Sequence, residues 1–167
     1  MRRRHRSSFK TLPPWGVVVA LVVMLAGSDS KRAAATVRPV KTNPHTGKPI
    51  FELGTRHLSD DEIRALLTVR GFPDVEKALE VCKRESGGWA SAVVDTSGMS
   101  QDELRRYWGS NVAAGKSLAP EISVGLFQIN TLAHPNYSVE AMKDPTLNVD
   151  AAFAISQGGT SWQAWGG

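Results

Sequence analysis

Glu85 stands in the run Arg84-Glu85-Ser86-Gly87-Gly88, and about forty residues later comes Ser123-Val124-Gly125-Leu126-Phe127-Gln128-Ile129-Asn130. A carboxyl beside a glycine pair, followed by a mixed polar and apolar segment with its own glycine, suits an acid that hands a proton to a leaving group in a cleft. Such an acid must keep its proton at the working pH. An ordinary glutamate, with a pKa of about 4.3, is ionised at neutrality. Partial burial among apolar groups disfavours the charged form and keeps the proton on. The first question is therefore whether the elements around Glu85 bury it.

The helix that carries it is legible. Asp74 is a suitable N-cap. Val75, Ala78, Leu79 and Cys82 then follow at i, i+3, i+4 and i+7, which is one face of an α-helix. The next members of that series are Glu85 and Ser86, so the glutamate prolongs the buried stripe. Gly87-Gly88 stops the helix. The competing reading is a helix-end glutamate turned to solvent or paired with Arg84. An earlier helix starts at Ser59, which forms a capping box with Glu62, and Leu58 and Ile63 fit a hydrophobic staple. Its stripe is Ile63, Leu66 and Leu67, and Gly71 ends it. Ser100 and Glu103 form a second capping box and open a short helix, Gln101 to about Trp108. Gly109 to Pro120 is small and polar and reads as loop. Ser123–Asn130 fits either a short strand pair or a turn leading into helix. Asp144-Pro145 opens a last helix, about Leu147 to Gln157, that is apolar on most sides and belongs in the core. Helices dominate, and no run alternates like a long strand.

Composition narrows the class. The net charge is +4, but residues 1–41 hold nine Lys/Arg against one acid, and residues 42–167 hold eleven against fifteen. The basic balance belongs to the leader, and the acidic remainder has no basic stripe interleaved with aromatics, so nucleic acid is not an expected partner. The leader has Arg2, Arg3, Arg4, Arg6 and Lys10, then an apolar run from Trp15 to Ala26, then Gly27 and Ser28. That is a secretory layout, with cleavage after Ser28 or Ala35, or an uncleaved signal anchor. The apolar run is short for a span of roughly 20 residues. The expected organisation is a signal peptide or signal anchor at 1–30, a flexible tether at 31–57 punctuated by Pro39, Pro44, Gly47 and Pro49, and a folded domain at 58–167. Little regular structure is expected before about residue 55. Cys82 is the sole cysteine, which excludes an internal disulfide framework and favours a buried thiol. His5, His45, His57 and His134 lack ligand spacing, so neither a metal nor another cofactor is expected.

Taken together, Glu85-Ser86-Gly87-Gly88, Gly125-Leu126-Phe127-Gln128-Ile129-Asn130, Asp144-Pro145 with Asn148 and Ala151-Ala152, and Gly158-Gly159-Thr160-Ser161-Trp162 resemble the lysozyme-like superfamily of peptidoglycan-cleaving enzymes. The likeness is to the soluble lytic transglycosylase domain and to related phage and actinobacterial muralytic domains, and it spans about residues 58–165. It implies a mainly α, lysozyme-like α+β domain with little strand. It also implies peptidoglycan glycan strands as the partner, while the secretory leader implies export, with the protein secreted, envelope-associated, or virion-associated if phage-encoded. By that resemblance Glu85 is the catalytic acid, Ser86 a helix-packing or hydrogen-bonding residue, and Gln128, Asn130, Ser123 and Phe127 line the saccharide site. The competing reading of Gln128 is a polar residue capping a local turn. Asn148 is structural or ligand-binding, and Trp89, Tyr107, Trp108, Trp162 and Trp165 are sugar platforms or core. The chain departs from the pattern in three places. The serine that many members carry nine residues after the acid falls at Val94, the stretch from Asp95 to Ser123 is long, and the tyrosine-bearing final segment is missing.

The resemblance implies cleavage of the β-1,4 bond between N-acetylmuramic acid and N-acetylglucosamine. In the transglycosylase scheme one glutamate protonates the glycosidic oxygen and then accepts the proton of the muramoyl C6 hydroxyl, which closes a 1,6-anhydro ring. Hydrolysis instead commonly uses a second carboxylate. For that role the sequence offers Asp95 first, with Asp102 and Glu121 behind it. The single-glutamate scheme is preferred. The alternatives from other classes are a non-catalytic wall-binding module and a membrane-tethered structural component.

Overall fold

The computed structural model describes residues 41–109 and 118–166. The leader, the first part of the expected tether and most of the Gly109–Pro120 loop lie outside the described residues. The domain is mostly helical with one small antiparallel sheet, as the sequence reading requires. In chain order the elements are β1 (Phe51–Glu52), α1 (Asp60–Arg70), α2 (Val75–Ser86), β2 (Val93–Asp95), α3 (Gln101–Trp108), β3 (Ile122–Val124), β4 (Ile129–Asn130), α4 (Val139–Met142), α5 (Pro145–Ile155) and a 3₁₀ turn (Gln163–Trp165).

The helix ends form where their side chains can satisfy free backbone groups. Ser59 and Ser100 each complete a reciprocal capping box with the glutamate three residues on, Asp74 accepts from Lys77 N, and Asp144 accepts from Thr146 N and Leu147 N. The staple residues Leu58 and Ile63 are both buried. α1 packs on α2 and α5, and the core runs through Ile63, Leu67, Ala78, Leu79, Cys82, Val149 and Ala152 to the sheet residues Val124 and Ile129. A smaller cluster of Ile50, Met99, Leu104 and Leu118 packs under α3, with Tyr107 and Trp108 against it.

Ser123–Asn130 resolves as a strand pair. β3 and β4 are antiparallel neighbours in a sheet of order β1-β2-β3-β4. Directly paired residues project to the same face. One face carries Val93, Val124 and Ile129 and turns to the core. The other carries Phe51, Val94, Ser123 and Asn130 in one cross-strand row.

The expected tether does not reach residue 57. Residues 41–52 are packed onto the sheet: Ile50 is buried, Phe51 and Glu52 pair with β2, and Thr42 bridges Pro49. The Asn43 side chain donates to Asp95 O at 3.2 Å and Ser97 O at 3.0 Å, and accepts from His45 N at 2.9 Å. Two-residue pairing and side-chain-to-backbone bonds leave no hydrophobic period for a sequence to display.

Candidate active site

α2 buries Glu85 as its stripe requires. The residue is 8 % exposed and occupies the last turn, and Gly87 in the left-handed region (φ 65°) turns the chain away behind it. Ser86 Oγ donates to Cys82 O and accepts from Gly88 N, which closes the helix end. Burial pushes the Glu85 carboxyl up to about 6, against the pull of the neighbouring Arg84 guanidinium. The glutamate is therefore both buried and paired with Arg84. Arg84 Nε lies 3.1 Å from Glu85 Oε1, and Oε2 has no hydrogen-bond partner among the described residues.

The turn between β3 and β4 is built by glycine and asparagine. Gly125 has φ +80°, and a Cβ there would collide with the Asn148 side chain and the Met142 carbonyl. Asn148 is fully buried; it donates to Val124 O and Met142 O and accepts from Phe127 N at 2.9 Å. That makes Asn148 structural. Gln128 adopts φ 48°, rare for a residue with a side chain. Its Nε2 donates to Gly125 O at 2.9 Å and Ala92 O at 3.2 Å. The amide nitrogen thus braces the turn, as in the competing reading, and leaves Oε1 without a described partner.

Phe127 is a correction. It is fully buried, stacked on Phe72 and Trp162 and met edge-on by Trp165, with ring centroids 5.9–6.4 Å away. A buried phenylalanine of this kind anchors a core, and losing it costs about 3–5 kcal/mol. It has no surface left for a sugar. Trp165 is also buried and Trp162 partly so, in the same cluster. Trp89 meets His57 edge-on, and Tyr107 and Trp108 pack at the second cluster.

The remaining two residues, Ser123 and Asn130, are brought together as a cross-strand pair on the face turned from the core. Asn130 Oδ1 accepts from Leu132 N and Ala133 N and shapes the following turn. Val94, the position at which the resemblance leads to a serine in many members, pairs with Ser123 on its other side. A hydroxyl is thus present in that row, one strand over.

The ranking of second carboxylates inverts. Asp95 pairs with Ile122 in register, so it belongs to the opposite face from Ser123. Its Oδ1 is consumed by Ser97 Oγ at 2.6 Å, Ser97 N at 3.0 Å and Asn43 Nδ2 at 3.4 Å. Asp102 is exposed on α3. Glu121 is the one of the three that feels the charge of Glu85. It is 5 % exposed, accepts from Ser123 Oγ at 2.8 Å, and lies within electrostatic reach of Glu85. Burial, opposed by the Ser123 hydroxyl and reinforced by the Glu85 charge, pushes it up to about 7. The available signal was its position two residues before Ser123, which is same-face spacing on a strand.

No group of His, Cys, Asp and Glu fit to hold a metal ion occurs among the described residues. Cys82 is buried and its thiol is pushed up to about 12, chiefly by burial, so it is inert. A surface hollow of about 300 Å³ between α4 and α5, lined by Tyr137, Met142, Leu147 and Asp150, includes neither Glu85 nor Glu121.

A family model described as a lysozyme-like domain matches residues 70–167, from the end of α1 through α2, strands β2 to β4 and α5. No curated protein and no solved structure matches the chain.

Proposed function

The chain belongs to the lysozyme-like domain family, a peptidoglycan-acting glycosidase or transglycosylase class, and we propose that it is a lytic transglycosylase with Glu85 as its single acid and base. The bond attacked is the β-1,4 linkage between N-acetylmuramic acid and N-acetylglucosamine. The observation that carries this reading is the burial of Glu85 at the end of an apolar stripe, which holds its pKa near 6. A carboxyl so placed still carries its proton in mildly acidic medium and is ready to return as a base.

Glu85 protonates the glycosidic oxygen as the bond to the muramoyl C1 breaks. The resulting carboxylate then accepts the proton of the C6 hydroxyl while that oxygen bonds to C1. The 1,6-anhydro ring closes, Glu85 regains its proton, and no water is consumed. Ser123, Asn130 and the Oε1 of Gln128 supply polar groups for the sugar.

Hydrolysis is the second reading, favoured by the nearness of Glu121. An acid–base pair would need Glu121 ionised while Glu85 is protonated. The physical environments point the other way. Glu85 has a cation beside it, whereas Glu121 has only a hydroxyl and a neighbouring negative charge, so Glu121 holds its proton to higher pH. A neutral Glu121 is a poor base.

The leader at residues 1–30, as signal peptide or membrane anchor, fits an exported enzyme working on the wall. Digestion of purified peptidoglycan followed by mass spectrometry tests the reaction. Muropeptides ending in 1,6-anhydro-muramic acid are the expected products. Reducing-end muramic acid with no anhydro form would instead establish hydrolysis.

A further inference from the structure

Neighbouring residues on an α-helix do not face each other. Arg84 and Glu85 are neighbours in the last turn of α2, yet Arg84 Nε and Nη2 each lie 3.1 Å from Glu85 Oε1. Something outside the helix must hold the guanidinium there. Arg84 Nη2 donates to the backbone oxygen of Trp165 at 2.6 Å. Trp165 is itself anchored: its Nε1 donates to Phe127 O at 2.8 Å, its ring packs on Phe127 and Trp162, and its N–H closes the 3₁₀ turn on Trp162 O. Phe127 belongs to the β3–β4 turn. The turn around Trp165 therefore ties the helix that carries Glu85 to the hairpin that carries Ser123 and Asn130.

We propose that the Trp162–Gly166 turn is a latch, and that through Trp165 it makes Arg84 a positioning residue that orients the Glu85 carboxyl and sets the pH at which it gives up its proton. The proposal rests on the reading of Glu85 as the acid. Both halves of the effect have a visible cause. The fork of the guanidinium, pinned by Trp165, restricts Glu85 Oε1 and leaves Oε2 without a partner among the described residues. The positive charge also favours the carboxylate, opposing the burial that favours the acid form. Among the described residues nearby, Cys82, one turn back on α2, is neutral; Glu121, just before β3, keeps its proton to higher pH than Glu85; and Lys83 is turned away to Asp60.

The sign follows directly. Glu85 acts first as an acid, so activity is lost on the alkaline side as it ionises. Arg84→Met removes the cation, Glu85 keeps its proton to higher pH, and the alkaline limb of the kcat profile moves up by about one pH unit. Loss of orientation lowers the maximal kcat about tenfold. Trp165→Phe keeps a ring in the cluster but removes the N–H that anchors the turn, and is expected to move the limb the same way by a smaller step.

The experiment follows the Glu85 carboxyl by carbon-13 NMR titration in the full chain and its two variants, beside pH profiles of kcat on peptidoglycan and circular dichroism for the fold. An upward shift of the Glu85 titration in both variants, matched by the activity limb, supports the latch. An unmoved titration in folded Arg84→Met overturns it, and an unmoved titration in folded Trp165→Phe does so whatever Arg84→Met shows. A titration that moves while the activity limb stays supports the latch and overturns the assignment of Glu85 as the acid.

Discussion

Two buried carboxyl groups share one electrostatic neighbourhood, and the protein treats them differently. Glu85 ends a helix, with a cation at 3.1 Å and one oxygen without a partner among the described residues. Glu121 precedes a strand, with a serine hydroxyl at 2.8 Å and no cation among its described partners. Burial raises both, but the first settles near 6 and the second near 7. What separates them is the company each keeps. A pinned guanidinium keeps one carboxyl able to gain and lose a proton in mildly acidic medium. Burial, only partly offset by a hydroxyl, leaves the other protonated over the same range. Two acids in one site thus need not make an acid–base pair.

The sharpest way to break this contrast is to neutralise each carboxyl in turn. Glu85→Gln should lower peptidoglycan cleavage by about 10²–10⁴-fold, the usual contribution of a positioned general acid, with circular dichroism unchanged. Cleavage at near wild-type rate would remove Glu85 from the chemistry.

Glu121→Gln should leave cleavage within a few-fold of wild type, because the amide keeps a donor and an acceptor where a neutral carboxyl stood. A loss comparable to that of Glu85→Gln would make Glu121 a working base and favour hydrolysis. The same variant carries a stability signature. A carboxyl raised above its unfolded pKa stabilises the fold fully below about 4.5 and loses that contribution as pH rises through about 7. Glu121→Gln should therefore be more stable than wild type at pH 8, by roughly 1–3 kcal/mol, and show no gain at pH 4. Thermal denaturation at the two pH values reads this directly.

The smallest effect on catalysis is expected at Asp95, whose Oδ1 is committed to Ser97 and Asn43. Asp95→Asn should leave the product and rate unchanged and cost about 1–2 kcal/mol of stability as charge-assisted bonds weaken. A catalytic defect without loss of stability would return Asp95 to the site.

Much of the scaffold was legible because it is local. Ser59 with Glu62, Ser100 with Glu103, Asp74 and Asp144 are caps, decided within one turn by the residues themselves. The placement of Glu85 followed from a period of 3.6 that needs no partner. The hairpin at 122–130 stayed ambiguous because its strands are three and two residues long, too short for alternation to show. Phe127 misled because it lies inside the motif run, where apolar residues serve sugar or core alike; only its stacking on Phe72 and Trp162 decides. The packing of residues 41–52 was hidden in side-chain-to-backbone bonds from Asn43, which leave no pattern in composition.

The sequence by itself determined that a glutamate would end a buried helical stripe, because helical spacing and capping are settled among residues a few positions apart. The tertiary structure decided which second carboxyl stands near it and which cation offsets the burial that holds its proton. Those depend on the register of β2 against β3, which turns Asp95 away, and on a contact between residues 84 and 165 that no local pattern encodes.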